Sequence, residues 1–263
     1  MINYYPEFSH YTQTAIKKGH EIELHSLNRA DLIIYASQWA ANSAINFYGI
    51  NPAKVKVVPF GANIQKAPDN KLIIEAIEKK SVEQLDLLFI GIDWERKGGE
   101  KILALVKLLN DTGQKTMLHI VGPVKNPVSN EQLPFLKFHG FLDKSVEADR
   151  IKMEELFHKC HFLVMLSKAE CYGLVYCEAN AYGMPVIGEA TGGVPTIIQH
   201  EQNGLLFPVD TDIKIYAEKI RELFADKIRF RKMCHWALEH FQIRLNWDVA
   251  GREVKNCIKA LDA

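Results

Sequence analysis

Residues 161–188 read HFLVMLSKAECYGLVYCEANAYGMPVIG. HFLVML (161–166) is a continuous apolar run of strand length. SKAECYG (167–173) is a polar loop that closes on glycine. Gly173–Tyr182 is patterned as a helix, Gly183 breaks it, and PVIG (185–188) is a second, short apolar strand. Strand, loop, helix, turn and strand in that order predict a parallel βαβ unit, whose strands are covered on both faces and so carry no polar alternation.

The same alternation extends outward. Upstream lie LDLLFIG (85–91), a helix over 98–109 with Ile102, Leu105, Val106 and Leu109 on one face, TMLHIVG (116–122), a weaker strand over 135–140 and a helix over 151–159. Downstream come a short strand over 204–207 and helices over 211–225, 227–241 and 245–261. The expected fold is α/β, a doubly wound parallel sheet flanked by helices. Such sheets bind ligands in the loops beyond the carboxyl ends of their strands, which singles out 91–98, 122–134, 166–173 and 188–194.

The beginning of the chain differs. Helix 10–28, strand 31–37, helix 38–48 and strand 54–59 precede a turn at 60–63, and the pattern assigns no element between 64 and 84. Two strands and two helices are too few for an independent core. Residues 1–62 therefore read as the tail of a preceding domain, 63–240 as one complete α/β domain and 241–263 as a closing helical segment.

Composition narrows the function classes. The chain has 263 residues, 48% hydrophobic and 24% charged, with 32 Lys+Arg against 32 Asp+Glu. That zero balance lacks the global basic signature of a nucleic-acid binder, and no nucleic-acid partner is expected. Five cysteines, an odd number with no CxxC, suit a reducing cytoplasm better than a disulfide framework. No apolar run approaches the ~20 residues of a membrane span. HExxH, EF-hand, GxSxG and GxGxxG patterns are missing, so neither a metal nor a dinucleotide is expected as cofactor.

Three loops carry chemistry. In GIDWERKGG (91–99), Arg96 and Lys97 sit at a helix start, where the helix dipole is already positive. Two cations there make a phosphate site with the free amides. They read equally as a solvated turn offset by Asp93, Glu95 and Glu100. In the second loop, Glu170 precedes the helix and Glu178 lies within it, seven residues between them. The two carboxylates can reach different hydroxyls of one extended ligand, or be a helix-entry charge and a surface residue. In the third, Gly192-Gly193 either lets the backbone approach a ligand closely or serves only to reverse the chain.

Taken together, RADLIIYASQWAANSA, KVKVVPFGAN, FIGIDWERKGGEKIL, LHIVG, SKAECYGLVYCEANAYGMPVIGEATGGVPTIIQHEQNGLLF and RLNWDVAGREVKNCI make a chain that resembles the retaining, nucleotide-sugar-dependent group 1 glycosyltransferases. These have two Rossmann-like domains, the GT-B architecture. The resemblance implies that 63–240 is the C-terminal, donor-binding half, that 1–62 is a remnant of the N-terminal, acceptor-side domain, and that the last helix crosses back to that domain. It implies transfer of a hexosyl group, with retention, from a UDP-, GDP- or ADP-sugar to an unidentified acceptor, without a metal. The E-x7-E signature becomes Glu170, on the donor sugar, and Glu178, on the ribose. Amides of Gly173, Leu174 and Val175 would face the diphosphate or sugar, Lys97 with Arg96 would neutralise the leaving group, and backbone near Phe141 and Leu142 would face the base. Many members carry Arg directly after the strand-ending glycine, where Ile92 stands here. Other readings that the residues leave open are a donor-binding module inactive by itself and a nucleotide-sugar epimerase. The expected location is the cytoplasm, with membrane contact left to the acceptor-side half.

Overall fold

The computed structural model describes residues 4–5, 8–128 and 133–261. The chain begins with α1 (Gln13–Arg29), β1 (Ile33–Tyr35) and α2 (Gln38–Asn42), which runs on into a π-helical turn over Ser43–Phe47. A 3-10 turn at Pro52–Lys54 leads into β2 (Val55–Val57). Strands β1 and β2 form a two-stranded parallel sheet. It packs on its own small cluster of Leu27, Ile33, Ala41, Ala44, Ile50 and Val55.

The larger unit follows. It runs through α3 (Asn70–Lys79), β3 (Leu85–Ile90), α4 (Gly99–Asp111), β4 (Thr116–Val121), β5 (Leu136–Gly140), α5 (Glu147–Lys159), β6 (Phe162–Met165), α6 (Leu174–Ala181), β7 (Val186–Glu189), α7 (Val194–Ile197) and β8 (Gly204–Phe207). Helices α8 (Ile213–Ala225), α9 (Lys227–Arg244) and α10 (Trp247–Lys259) close the chain. The strands of this unit lie in the order β5-β4-β3-β6-β7-β8, all parallel. Leu85, Leu87, Leu88, Phe89, Phe162, Leu163, Val164 and Met165 are fully buried, as central parallel strands between two helical layers must be.

The order places the site. The chain starts at β3, builds outward through β4 to β5, then returns to the other side of β3 with β6. Neighbouring strands β3 and β6 thus send their following helices to opposite faces, and a crevice opens beyond their carboxyl ends. The loops at that crevice are 91–98 and 166–173. Of the loop 122–134, residues 129–132 lie outside the described residues.

The sequence pattern misses α3. Asp69 caps it, accepting from the Lys71 amide at 2.8 Å, and Ile73 and Ile77 are its buried face. An N-cap Asp with two apolar residues four apart is a readable but short signal. Helix α5 begins at Glu147 rather than 151, because its first turn is acidic and polar and carries no apolar periodicity. Residues 38–48, read as one helix, change from α to π geometry at Ser43.

Candidate active site

The helices divide by how they start. Thr12, Ser37, Asp69, Asp212, Asp226 and Asn246 cap α1, α2, α3, α8, α9 and α10 with side-chain oxygens. Helices α4, α5, α6 and α7 begin at Gly98, Val146, Gly173 and Gly193, with no side-chain cap. Those four follow the carboxyl ends of sheet strands. Their first-turn amides keep their hydrogen-bonding capacity for something other than a capping side chain.

Gly98 and Gly173 are dictated by geometry. Both hold left-handed backbone, at φ 77° and 96°. A Cβ on Gly98 would strike the Leu166 carbonyl, and one on Gly173 the Tyr176 ring. The loop before α4 therefore lies directly on the end of β6. The Lys168 amide donates to the Arg96 carbonyl at 2.9 Å, joining the two loops through their main chains.

Lys97 and Glu170 meet across this junction as a largely buried ion pair. The two cations at the start of α4 thus have a counterion of their own, which answers the charge problem posed by Arg96 and Lys97. Arg96 is held differently. Its Nε donates to Asp93 Oδ2 at 3.0 Å and its Nη1 to the Ala169 carbonyl at 2.9 Å. Its guanidinium lies over the Tyr5 ring, 5.5 Å from the centroid.

Glu178 is buried on α6 and pairs with Lys144, Nζ to Oε2 at 2.5 Å. Burial pushes its carboxyl pKa up, and Lys144 together with the Asn63 backbone amide opposes that shift. Glu170 and Glu178 thus flank the uncapped start of α6, one on the approach loop and one inside the helix. Directly after β5, Phe141 is 52% exposed, whereas Leu142 is 7% exposed and belongs to the core. Only the first presents its side chain to solvent.

Gly192 and Gly193 do something that the sequence reading did not offer. A Cβ on Gly192 would strike the Glu170 carbonyl, and one on Gly193 the Cys171 carbonyl. The Gly193 amide donates to the Glu170 carbonyl at 3.1 Å. The close approach is to the chain's own loop 166–173.

Several residues of this region carry no sequence signal. Tyr4 and Tyr5, far away in the chain, accept from the amides of Glu170 and Cys171 at 3.0 and 2.9 Å. Lys144 sits in an ordinary polar turn. Lys101, on α4, pairs with the buried Glu189 at 2.6 Å, and Tyr216 donates to the same carboxylate at 2.7 Å. A pair of adjacent tyrosines in a polar stretch, and a lysine four residues after Lys97, were the sole hints. Among the described residues no group of three His, Cys, Asp or Glu side chains could hold a metal ion. No described helix is long and apolar enough to cross a membrane.

Comparison with known proteins bears on this geometry. Residues 70–237 match the family model described as "Glycosyl transferases group 1". A D-inositol 3-phosphate glycosyltransferase of Streptomyces bingchenggensis is 28% identical over 234 residues, covering 84% of this chain and 51% of that protein. One of Catenulispora acidiphila is 27% identical over 222 residues, covering 80% and 53%. The chain spans about half the length of the curated relatives it matches. Among solved structures, Anabaena HepE in complex with UDP has a TM-score of 0.72 at 20% identity, covering 96% of this chain and 69% of that one. Sucrose-phosphate synthase from Thermosynechococcus elongatus has 0.68 at 21%, covering 97% and 65%. At these identities the structural likeness shows a shared GT-B fold.

Proposed function

The chain belongs to the group 1 glycosyltransferases, and from that premise we propose that it supplies the donor half of a retaining hexosyl transfer from a nucleoside-diphosphate sugar. One observation carries the reading. Lys97, from the loop after β3, pairs with Glu170, from the loop after β6, just before the uncapped start of α6, the helix that carries Glu178.

In this reading the nucleoside diphosphate lies along the amides of Gly173, Leu174 and Val175. The bond from the anomeric carbon to the diphosphate oxygen breaks, and its electron pair leaves with the phosphate. The acceptor hydroxyl attacks from the same face and passes its proton to the departing phosphate, with no nucleophile from the protein. Negative charge builds on the leaving oxygen, where Lys97 and the fixed amides favour it more in the transition state than in the ground state. Glu170 aligns the sugar hydroxyls, Glu178 the ribose diol, and backbone near Phe141 and Leu142 the base. Arg96, tied to Asp93 and Ala169, adds field rather than direct contact. No metal is needed, because lysine and helix amides already meet the diphosphate charge. The full transfer also requires an acceptor surface, which we assign to the N-terminal side. A cytoplasmic location suits cysteines that no disulfide joins.

HepE is described with UDP and with UDP-glucose, so UDP is the first probe. Calorimetric titration with UDP, GDP and ADP, then with their sugar conjugates, tests the proposal. Saturable binding of one nucleotide, lost in Glu178→Gln, is expected. Failure of all three to bind would overturn it.

A further inference from the structure

Glu178 draws its surroundings from three parts of the chain. Its own helix contributes Cys177, and the residue just past the helix end contributes Tyr182, both of which feel its charge. The stretch after β2 contributes the Asn63 amide. The turn between β5 and α5 contributes Lys144.

That turn is built to hold Lys144 in place. The Ser145 amide and hydroxyl both donate to Asp143 Oδ1, at 2.8 and 2.7 Å. The Val146 amide donates to the Asp143 carbonyl at 2.9 Å, and the Asp143 amide to Asp149 Oδ2, on the first turn of α5, also at 2.9 Å. A lysine between two such anchored residues has its Cα fixed. Its side chain is half exposed, while that of Glu178 is 4% exposed. The ammonium thus reaches from the surface to a carboxylate below it.

We infer that Lys144 is a positioning residue of the nucleotide site, its ammonium fixing the ionised carboxylate of Glu178 where a ribose diol meets it. The inference rests on the reading of Glu178 as the ribose contact. An ionised carboxylate has about four acceptor positions. Lys144 occupies one, the Asn63 amide favours the charged form from nearby, and acceptor capacity remains for the two hydroxyls of a diol. A protonated carboxyl loses part of that capacity and presents a donor instead. Burial already favours the protonated form of Glu178, and Lys144 is the cation that opposes it. Without Lys144 the balance moves further toward protonation.

The test is calorimetric titration between pH 6 and 8.5 with whichever of UDP, GDP and ADP binds wild type. Wild type, Lys144→Met and Lys144→Arg are compared, each first checked for folding by circular dichroism. Reading each variant as a ratio to wild type cancels the titration of the diphosphate itself. Lys144→Met is expected to bind more weakly than wild type at the acid end of the range, by at most about tenfold for each pKa unit by which loss of the ammonium raises Glu178, and to recover as pH rises and Glu178 ionises again. Lys144→Arg is expected to restore a flat ratio. Carbon-13 NMR of the glutamate carboxyls, with Glu178 assigned by its loss in Glu178→Gln, should show its titration move to higher pH in Lys144→Met. A Lys144→Met variant that binds as well as wild type at every pH, or is weaker by a constant factor with an unmoved Glu178 titration, overturns this inference alone. A wild type that binds no nucleotide overturns the nucleotide reading and this inference with it.

Discussion

Lys97 and Glu170 are held 73 positions apart in sequence and together in space. Removing the lysine leaves a carboxylate that is nearly buried and without its counterion, the costly way to break such a pair, at about 3 kcal/mol. Lys97→Ala is therefore expected to lower the midpoint of thermal unfolding as well as to cut nucleotide affinity at least about tenfold, since a charge-assisted contact to phosphate is lost. An unchanged affinity in calorimetry would remove Lys97 from the diphosphate site. Glu170→Gln keeps the shape and one acceptor oxygen. Its expected signature is turnover reduced about a hundredfold with donor affinity nearly kept, and equal turnover would refute its alignment of the sugar. Both residues are visible in the sequence because motif spacing places them at loop–helix junctions. Their mutual pairing is not, since nothing in a linear pattern says that the loop after β3 leans on the loop after β6. The same limit hides Lys144 and the two tyrosines, whose partners are main-chain amides or a carboxylate far along the chain.

Elements show where pattern suffices and where it does not. Five of the six sheet strands of the larger unit are legible as apolar runs, because a strand covered on both faces has few polar positions to confuse the period, whereas the edge strand β5, with Lys137 and His139 in it and only partly buried, gives the weaker signal. Helix α3 escapes because it is short and its apolar residues do not keep to one face, Leu72 and Ile74 being exposed while Ile73 and Ile77 are buried. It matters nonetheless, since Ile73 and Ile77 pack where Gly183 turns the chain from α6 to β7. The start of α4 is sharper still. Gly98→Ala combines left-handed backbone with a collision against the Leu166 carbonyl, a main-chain atom that cannot turn aside. It is expected to cost about 2–4 kcal/mol and to lose nucleotide binding, because Lys97 rides on the displaced turn. Urea denaturation measures the first effect. A variant as stable as wild type would show that the two loops do not bear on each other. On the same helix, Lys101→Ala strands Glu189, 5% exposed, with Tyr216 as its remaining partner. A loss of about 3 kcal/mol is expected, and a loss under about 0.5 kcal/mol would show that Tyr216 alone satisfies the carboxylate.

The whole molecule has an acid-sensitive interior. Burial holds His139, His161 and His240 at about 4, with His119 adding to the first and Arg244 to the last. In the unfolded chain each returns to its ordinary value of 6.5. Between those values the unfolded state binds more protons, so stability rises with pH. The contribution is complete above about 6.5 and lost as pH falls to about 4. Glu178 acts in the opposite sense, since its raised carboxyl takes up a proton more readily in the folded state, but it is one group against three. Urea unfolding from pH 7.5 to 4.5 should show a steady fall, and a flat profile would mean that these imidazoles stay solvated. The two-sheet organisation was legible from the change of rhythm near residue 62, and the strand order from none of it, because order is decided by which helices cover which face. One consequence of the glycine junctions reaches beyond stability. Loops from β3, β6 and β7 are joined by main-chain contacts at Gly98, Gly192 and Gly193, so their mutual positions depend on atoms common to every amino acid. Side chains on those loops other than these glycines and the buried Lys97–Glu170 pair can be exchanged one at a time while the scaffold stays put. A lineage could therefore change what such a site selects by drift at its tips, without passing through an ancestor that fails to fold.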